Sequence, residues 1–163
     1  MSFSFRIYGA VGQSGDGFAF LWQNDPRGPT ALGGLGDQMG YAGISPSVVV
    51  EFDIFANVYD PGPNDVAITT NGQNTTALAH QFAPFPLDDG VTHYAWIDYQ
   101  AGVQQVSVYL SNTPTRPSTA LVSATVDLYT TVGSSAYIGF TAACGGANDD
   151  FALESLTLQE SVP

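Results

Sequence analysis

Lysine is missing altogether from this chain of 163 residues, and only Arg6, Arg27 and Arg116 stand against fifteen Asp and Glu. A net charge of -12 excludes the clustered cations that a phosphate backbone requires, so no nucleic-acid partner is expected. Cysteine is nearly absent too. Cys144 alone forms no internal disulfide, and a catalytic thiol would need a positioned histidine. Only His80 and His93 exist, and neither is placed beside it by sequence, so Cys144 reads as structural. Both histidines read as surface or strand residues, with His80 held in reserve as a metal ligand. No run of about 18 apolar residues occurs, so no membrane insertion is expected. A signal-peptide pattern is lacking as well: Met1-Ser2-Phe3-Ser4-Phe5 alternates like a strand.

What is present is material for a β core. Hydrophobic residues make up 44% and aromatics 12%, enough to argue against disorder. The apolar pattern has period two nearly everywhere, which predicts strands over 3–9, 17–22, 47–55, 65–70, 92–99, 103–110, 119–128, 135–141 and 151–158. No segment shows convincing helical periodicity. Gln100-Ala101-Gly102 reads as a hairpin loop between two of the strands. Eighteen glycines and ten prolines punctuate the chain at strand-like spacing. The expectation is all-β: one antiparallel β-sandwich over 1–163, of jelly-roll type. The Gly-rich stretch 31–43 does not open a helix, so it is no phosphate loop.

The most informative stretch is Glu51-Phe52-Asp53-Ile54-Phe55-Ala56-Asn57-Val58-Tyr59-Asp60-Pro61. Alternation along a strand sends Val50, Phe52 and Ile54 one way and Glu51, Asp53 and Phe55 the other. Two carboxylates thus share a face with an aromatic ring, and Asn57 and Asp60 follow in a short loop. Four oxygen-bearing side chains in ten residues suit calcium, which takes about six to eight oxygen ligands. Twelve of the fifteen acids are Asp, the acid that favours loops.

Six segments, in order, resemble those of the L-type (legume-like) lectins, the bacterial relatives especially. They are Gly15-Asp16-Gly17-Phe18-Ala19-Phe20, the loop Leu35–Gly43 with Met39-Gly40-Tyr41, Val49-Val50-Glu51-Phe52-Asp53, Asn57-Val58-Tyr59-Asp60-Pro61, Trp96-Ile97-Asp98-Tyr99, and Ile138-Gly139-Phe140-Thr141-Ala142. The similarity covers about residues 3 to 158. It implies a concanavalin-like sandwich that binds Ca2+, with a second divalent cation (Mn2+ or Ca2+) beside it. Calcium would take the side chains of Asp53, Asn57 and Asp60 and the Phe55 carbonyl; Glu51, Asp53, Asp60 and Asp65 would face the second ion. For sugar, the resemblance implies that Asp16 accepts from vicinal hydroxyls, Asn57 donates, and the Phe55 ring stacks on the pyranose. The backbone of Gly146 or Ala147 would close the site, and the loop at Gly36 and Asp37 would add a contact. It also implies a cis peptide at Gly15-Asp16.

Three departures from the family pattern stand out. The family's metal-binding histidine aligns with Asp65, or with Asn64 if the loop shifts, which leaves open a lone calcium or two hard cations. Asp37 falls where the family has a sugar-contacting glycine. The family's strands ahead of Phe3–Ile7 are absent, which leaves a sheet edge open for a homodimer.

A hydrolase with a similar sandwich needs a second acid about 5–5.5 Å from the first in a retaining mechanism. Position 56, where it would stand, is Ala; Asp98, Glu154 and Glu160 lie elsewhere. The expected function is therefore calcium-dependent, non-catalytic binding of glycans or polysaccharide, in a secreted or cell-surface protein. The alternatives are a metal-stabilised adhesion or assembly module without sugar binding, and, more remotely, a β-glycan hydrolase.

Overall fold

The computed structural model describes residues 1–159; Glu160 lies outside them. Ten strands run in chain order: β1 (Ser2–Tyr8), β2 (Gly17–Gln23), β3 (Ser47–Asp53), β4 (Asp65–Thr70), β5 (Ala79–Phe82), β6 (His93–Gln100), β7 (Gln105–Ser111), β8 (Val122–Thr125), β9 (Tyr137–Ala143) and β10 (Asp150–Thr157). They form two five-stranded antiparallel sheets, β10-β1-β6-β7-β8 and β5-β4-β3-β2-β9. The expected β-sandwich is the observed one.

The core lies between the sheets and is fed by every second residue. From β3 come Val48, Val50 and Phe52, from β1 Phe3, Phe5 and Ile7, and from β4 Val66 and Ile68. Phe18 and Phe52, paired in register across β2 and β3, stack with centroids 4.6 Å apart. A smaller cluster covers the opposite face of the second sheet. There Met39, Tyr41 and Ile44 of the Gly-rich loop lie on Ala19, Leu21 and Val49. That loop is thus a lid of apolar side chains, which explains why β3 is buried on both faces until Glu51.

Three details differ from the expectation. β5 lies outside the expected strands, because Ala-His-Gln-Phe is short and alternates only weakly. The segment 119–128 forms a strand only over Val122–Thr125. Beyond it Leu128–Val132 is one turn of helix, α1, against the expectation of none. Asp127 starts it by accepting a hydrogen bond from the Thr130 amide. The β6–β7 connection is a 3-10 turn, Ala101–Val103, ending on Gln104 at φ 50°. Trp22 packs against the core, whereas Trp96 stands half-buried on the outer face with Tyr94.

On one side the sandwich is open. The edge strands β9 and β10 flank an apolar cleft of about 140 Å³ lined by Phe5, Phe18, Phe140 and Phe151. No helix among the described residues is long and apolar enough to cross a membrane.

Candidate functional site

The outer face of β3 and β4 gathers the carboxylates. Asp53 pairs in register with Asp65, and Glu51 with Ala67. Paired residues on antiparallel strands share a face, with Cβ atoms about 4.5–5.5 Å apart. With the loop after β3 they enclose a polar pocket of about 280 Å³, lined by Glu51, Asp53, Asp60, Asp65, His80 and Tyr59 among others.

Each acid is held differently. The Tyr41 hydroxyl donates to Glu51 Oε2. Asp53 Oδ1 accepts from the Phe55 amide at 2.7 Å, and Asp60 Oδ2 from the Asn57 amide at 2.7 Å. These are local side-chain-to-backbone turns, and they shape the loop. Asp65 is only 4% exposed and makes no hydrogen bond among the described residues; His80 Nδ1 stands 4.0 Å from its Oδ2.

Crowding so many acids has an electrostatic cost. Withdrawal from water, with neighbouring carboxylates adding to it, pushes Glu51 up to about 7 and Asp53 to about 8. Asp65 rises to about 6, again chiefly through burial. A bound cation inverts this logic, because it favours the ionised acids. The crowded carboxylate oxygens of this polar pocket are the donor type a hard divalent cation takes. Among the described residues no three His, Cys, Asp or Glu side chains stand close enough to hold an ion in their present arrangement.

The sugar-side residues come together at the adjacent loops. The Gly15-Asp16 peptide is cis, as the resemblance implies. Asp16 is 6% exposed, and its Oδ2 accepts from the Gly145 amide at 2.6 Å. Burial raises its carboxyl above the usual range, against the Gly145 bond, and the Asp37 charge nearby adds to the rise. Gly36 sits at φ +65°, its Cβ position 3.5 Å from Gly145 Cα and 4.0 Å from Asp16 Oδ2. A Cβ on Gly15 would meet the Phe55 ring at 3.0 Å and Ala147 Cβ at 3.1 Å, so Phe55 and Ala147 line the same spot. Gly146 is exposed with open space around it. Asn57, expected to donate to sugar, contacts Asp60 through its backbone, its carbonyl accepting from the Asp60 amide at 3.1 Å, and no side-chain hydrogen bond ties it to the Asp16 group among the described residues.

Asp37 is latched. Tyr59 donates its hydroxyl to Asp37 Oδ2, and Asn74 Nδ2 donates to the same oxygen at 3.3 Å. Three loops are tied by that one carboxylate. Sequence reasoning missed Tyr41, Tyr59 and Asn74 as organisers of the site. It also missed Asp149, which accepts from Ser14 Oγ at 2.5 Å and the Gly15 amide at 3.1 Å and so holds the approach to Asp16. Their partners lie 10 to 135 positions away, so no local signal announces them. His93 is wholly buried: its Nε2 lies 3.0 Å from Asp89 Oδ1 and its ring stacks on Phe85, away from the site. Cys144 packs its sulfur against the Asp149 backbone, a structural role for the lone thiol.

Comparison with known proteins agrees with this architecture. The family model for the legume lectin domain matches residues 1–162. A seed lectin of Styphnolobium japonicum is 31% identical over 149 residues, 88% of this chain and 49% of that protein. An L-type lectin-domain containing receptor kinase S.7 of Oryza sativa subsp. japonica is 32% identical, over 88% of this chain and 22% of that one. Among solved structures, basic winged bean lectin with Tn-antigen superposes with a TM-score of 0.72 at 26% identity, covering 94% of this chain and 70% of the other. The chain thus spans about half the length of the seed lectin, and less of the kinase. These relatives are lectins and lectin-domain proteins, in keeping with a non-enzymatic domain in which Glu51 and Asp53 lack a catalytic partner. The chain belongs to the legume lectin domain family.

Proposed function

We propose that residues 1–163 form one calcium-dependent, non-catalytic carbohydrate-binding domain. The observation that carries this reading is Asp16. It is a buried carboxylate fixed by the Gly145 amide, with Gly36 beside it and the Phe55 ring and Ala147 against the neighbouring Gly15. A sugar offers hydroxyls that donate and accept and one apolar face. A carboxylate, backbone amides and a ring are its complement. Asp53, Asn57, Asp60 and the Phe55 carbonyl would hold calcium, and Glu51, Asp53, Asp60 and Asp65 a second cation. The ions neutralise the acids and fix the Phe55–Asp60 loop before sugar arrives, which spares the ligand the ordering cost. That basic winged bean lectin was solved with Tn-antigen supports a glycan as the ligand class. Related lectin domains in receptor kinases support a secreted or cell-surface setting.

A glycan array probed with calcium and with chelator tests this. Binding that chelator abolishes is expected; no binding to any glycan in calcium overturns it. The open edges of β9 and β10 favour a second reading, assembly through a sheet edge as a homodimer. Tyr137 and Leu153 are each 47% exposed there, and the chain has no lysine to guard the edge. In that case Asp16→Ala leaves the interactions intact, and sedimentation shows a dimer.

A further inference from the structure

We infer that the outer face of the first sheet, β10-β1-β6-β7-β8, carries a second glycan site centred on Trp96 and Tyr94. It takes an internal stretch of a neutral polysaccharide and needs no metal. It stands on the other sheet from the acidic pocket and does not rest on the Asp16 reading.

Alternation along β6 buries His93, Ala95 and Ile97 and turns Tyr94, Trp96 and Asp98 outward. The Tyr94 and Trp96 rings are nearly parallel, their planes 25° apart. Their centroids are 6.5 Å apart, close to the two-residue repeat of a strand, about 6.8 Å. Both side chains are half-buried. Neither the Trp96 indole N–H nor the Tyr94 hydroxyl has a hydrogen-bond partner among the described residues, and neither is sealed from solvent. Rings turned outward with unspent polar tips suit a ligand that is apolar on one side and wet on the other.

Hydroxyl groups edge the two rings. Ser2 pairs in register with Trp96, and Ser4 with Tyr94, on the β1 side. On the β7 side Tyr109 pairs with Trp96, and Ser111 with Tyr94. Such partners stand with Cβ atoms about 4.5–5.5 Å apart, within reach of one ligand. Ser4 and Ser155 share a hydrogen bond of 2.7 Å, which uses only one of their two hydroxyl protons. A pyranose presents an apolar face and a rim of hydroxyls that donate and accept. Rings edged with hydroxyls complement both.

Charge then selects among glycans. Two of the three arginines stand on this face, each paired with an acid: Arg6 with Glu154, and Arg116 with Asp98. Their guanidinium groups lie over Tyr8 and Tyr109, at 4.6 Å and 4.0 Å from the ring centroids. No cation is left over to draw a uronate or sulfated chain, and the net charge of -12 repels one. A second copy of this protein docked here would bury both ion pairs, at a cost in desolvation. A neutral glycan needs neither change. The face is also open along its strands, whereas loops wall the site at Asp16. An open strip suits the middle of a chain.

Affinity electrophoresis in EDTA, through gels holding hydroxyethylcellulose, arabinoxylan or laminarin, tests the inference. Wild type is expected to be slowed by at least one of these, and Asp16→Ala, outside the face, to be slowed equally. Trp96→Ala and Tyr94→Ala should each weaken that binding at least about tenfold, and Trp96→Phe less. A chelated wild type that none of the three glycans slows overturns the proposal. So does retardation that survives both alanine variants. A dimer in sedimentation that Trp96→Ala dissociates overturns it as well, because the face is then an interface between copies. Retardation that persists while calcium brings no binding on the glycan array leaves this site standing and defeats the Asp16 reading instead. Thermal melts of the variants confirm that they fold.

Discussion

The two faces of β3 differ more than any two regions of this molecule. Inward, Val48, Val50 and Phe52 meet hydrophobic partners from both sheets and need nothing further. Outward, beyond Val49, the same strand sets Glu51 and Asp53 in a pocket with Asp60 and Asp65, where burial and mutual repulsion hold protons on the acids. One face is complete as folded. The other, under the proposed function, is completed by a cation. The lesson is that a strand's period of two lets a protein place an unsatisfied electrostatic site directly on the back of its most rigid core.

The comparison breaks most visibly on the inner face. Phe52→Ala removes a stacked ring with no exposure and should cost about 3–5 kcal/mol, read by chemical denaturation. The outer face should respond to ions instead. Calcium at one hundred times its dissociation constant should add about 2.7 kcal/mol of stability. Asp53→Asn should remove most of that increment while costing the chelated protein little.

The sign of the pH response separates the faces further. Glu51, Asp53 and Asp65 have folded-state values raised to about 7, 8 and 6. A raised acid binds its proton more tightly when folded. The contribution of these three acids to the stability of the chelated protein is therefore fully present below the unfolded carboxylate range near 4, and is lost as pH rises toward 8. Calcium needs the ionised acids, so its stabilising effect should grow over the same interval. Melting curves with calcium and with chelator at pH 5 and pH 8 check this; a calcium effect that shrinks toward pH 8 would falsify it.

Smaller effects sharpen the boundary between the faces. Tyr41 belongs to the apolar lid yet donates to Glu51. Tyr41→Phe keeps the packing and deletes the bond, and should cost about 1 kcal/mol, the usual net value of an intramolecular hydrogen bond. Asn74→Ala loosens Asp37 at a half-exposed site and should cost no more than about 0.5 kcal/mol. Its clearer readout is glycan preference on the array, since Asp37 beside Asp16 is released from one of its two latches.

Much of this was legible from residue order. Period-two alternation placed nine of the ten strands within a few residues, because each strand's faces are recorded locally. β5 escaped because four residues give too short a pattern, and α1 because a single capped turn has no period to detect. Glu51, Asp53 and Asp60 were legible as a cluster because they are neighbours in the chain.

The sequence by itself determined the sandwich, the acidic face and the absence of a second catalytic acid at position 56. Those follow from alternation and spacing, which act over a few residues. Only the tertiary structure decided that Asp16 meets Gly145, that Tyr59 and Asn74 latch Asp37, and that His80 comes to stand beside Asp65. These contacts join residues 15 to 129 positions apart. They depend on which strands lie side by side and in which register, and the packing of the whole core fixes that at once.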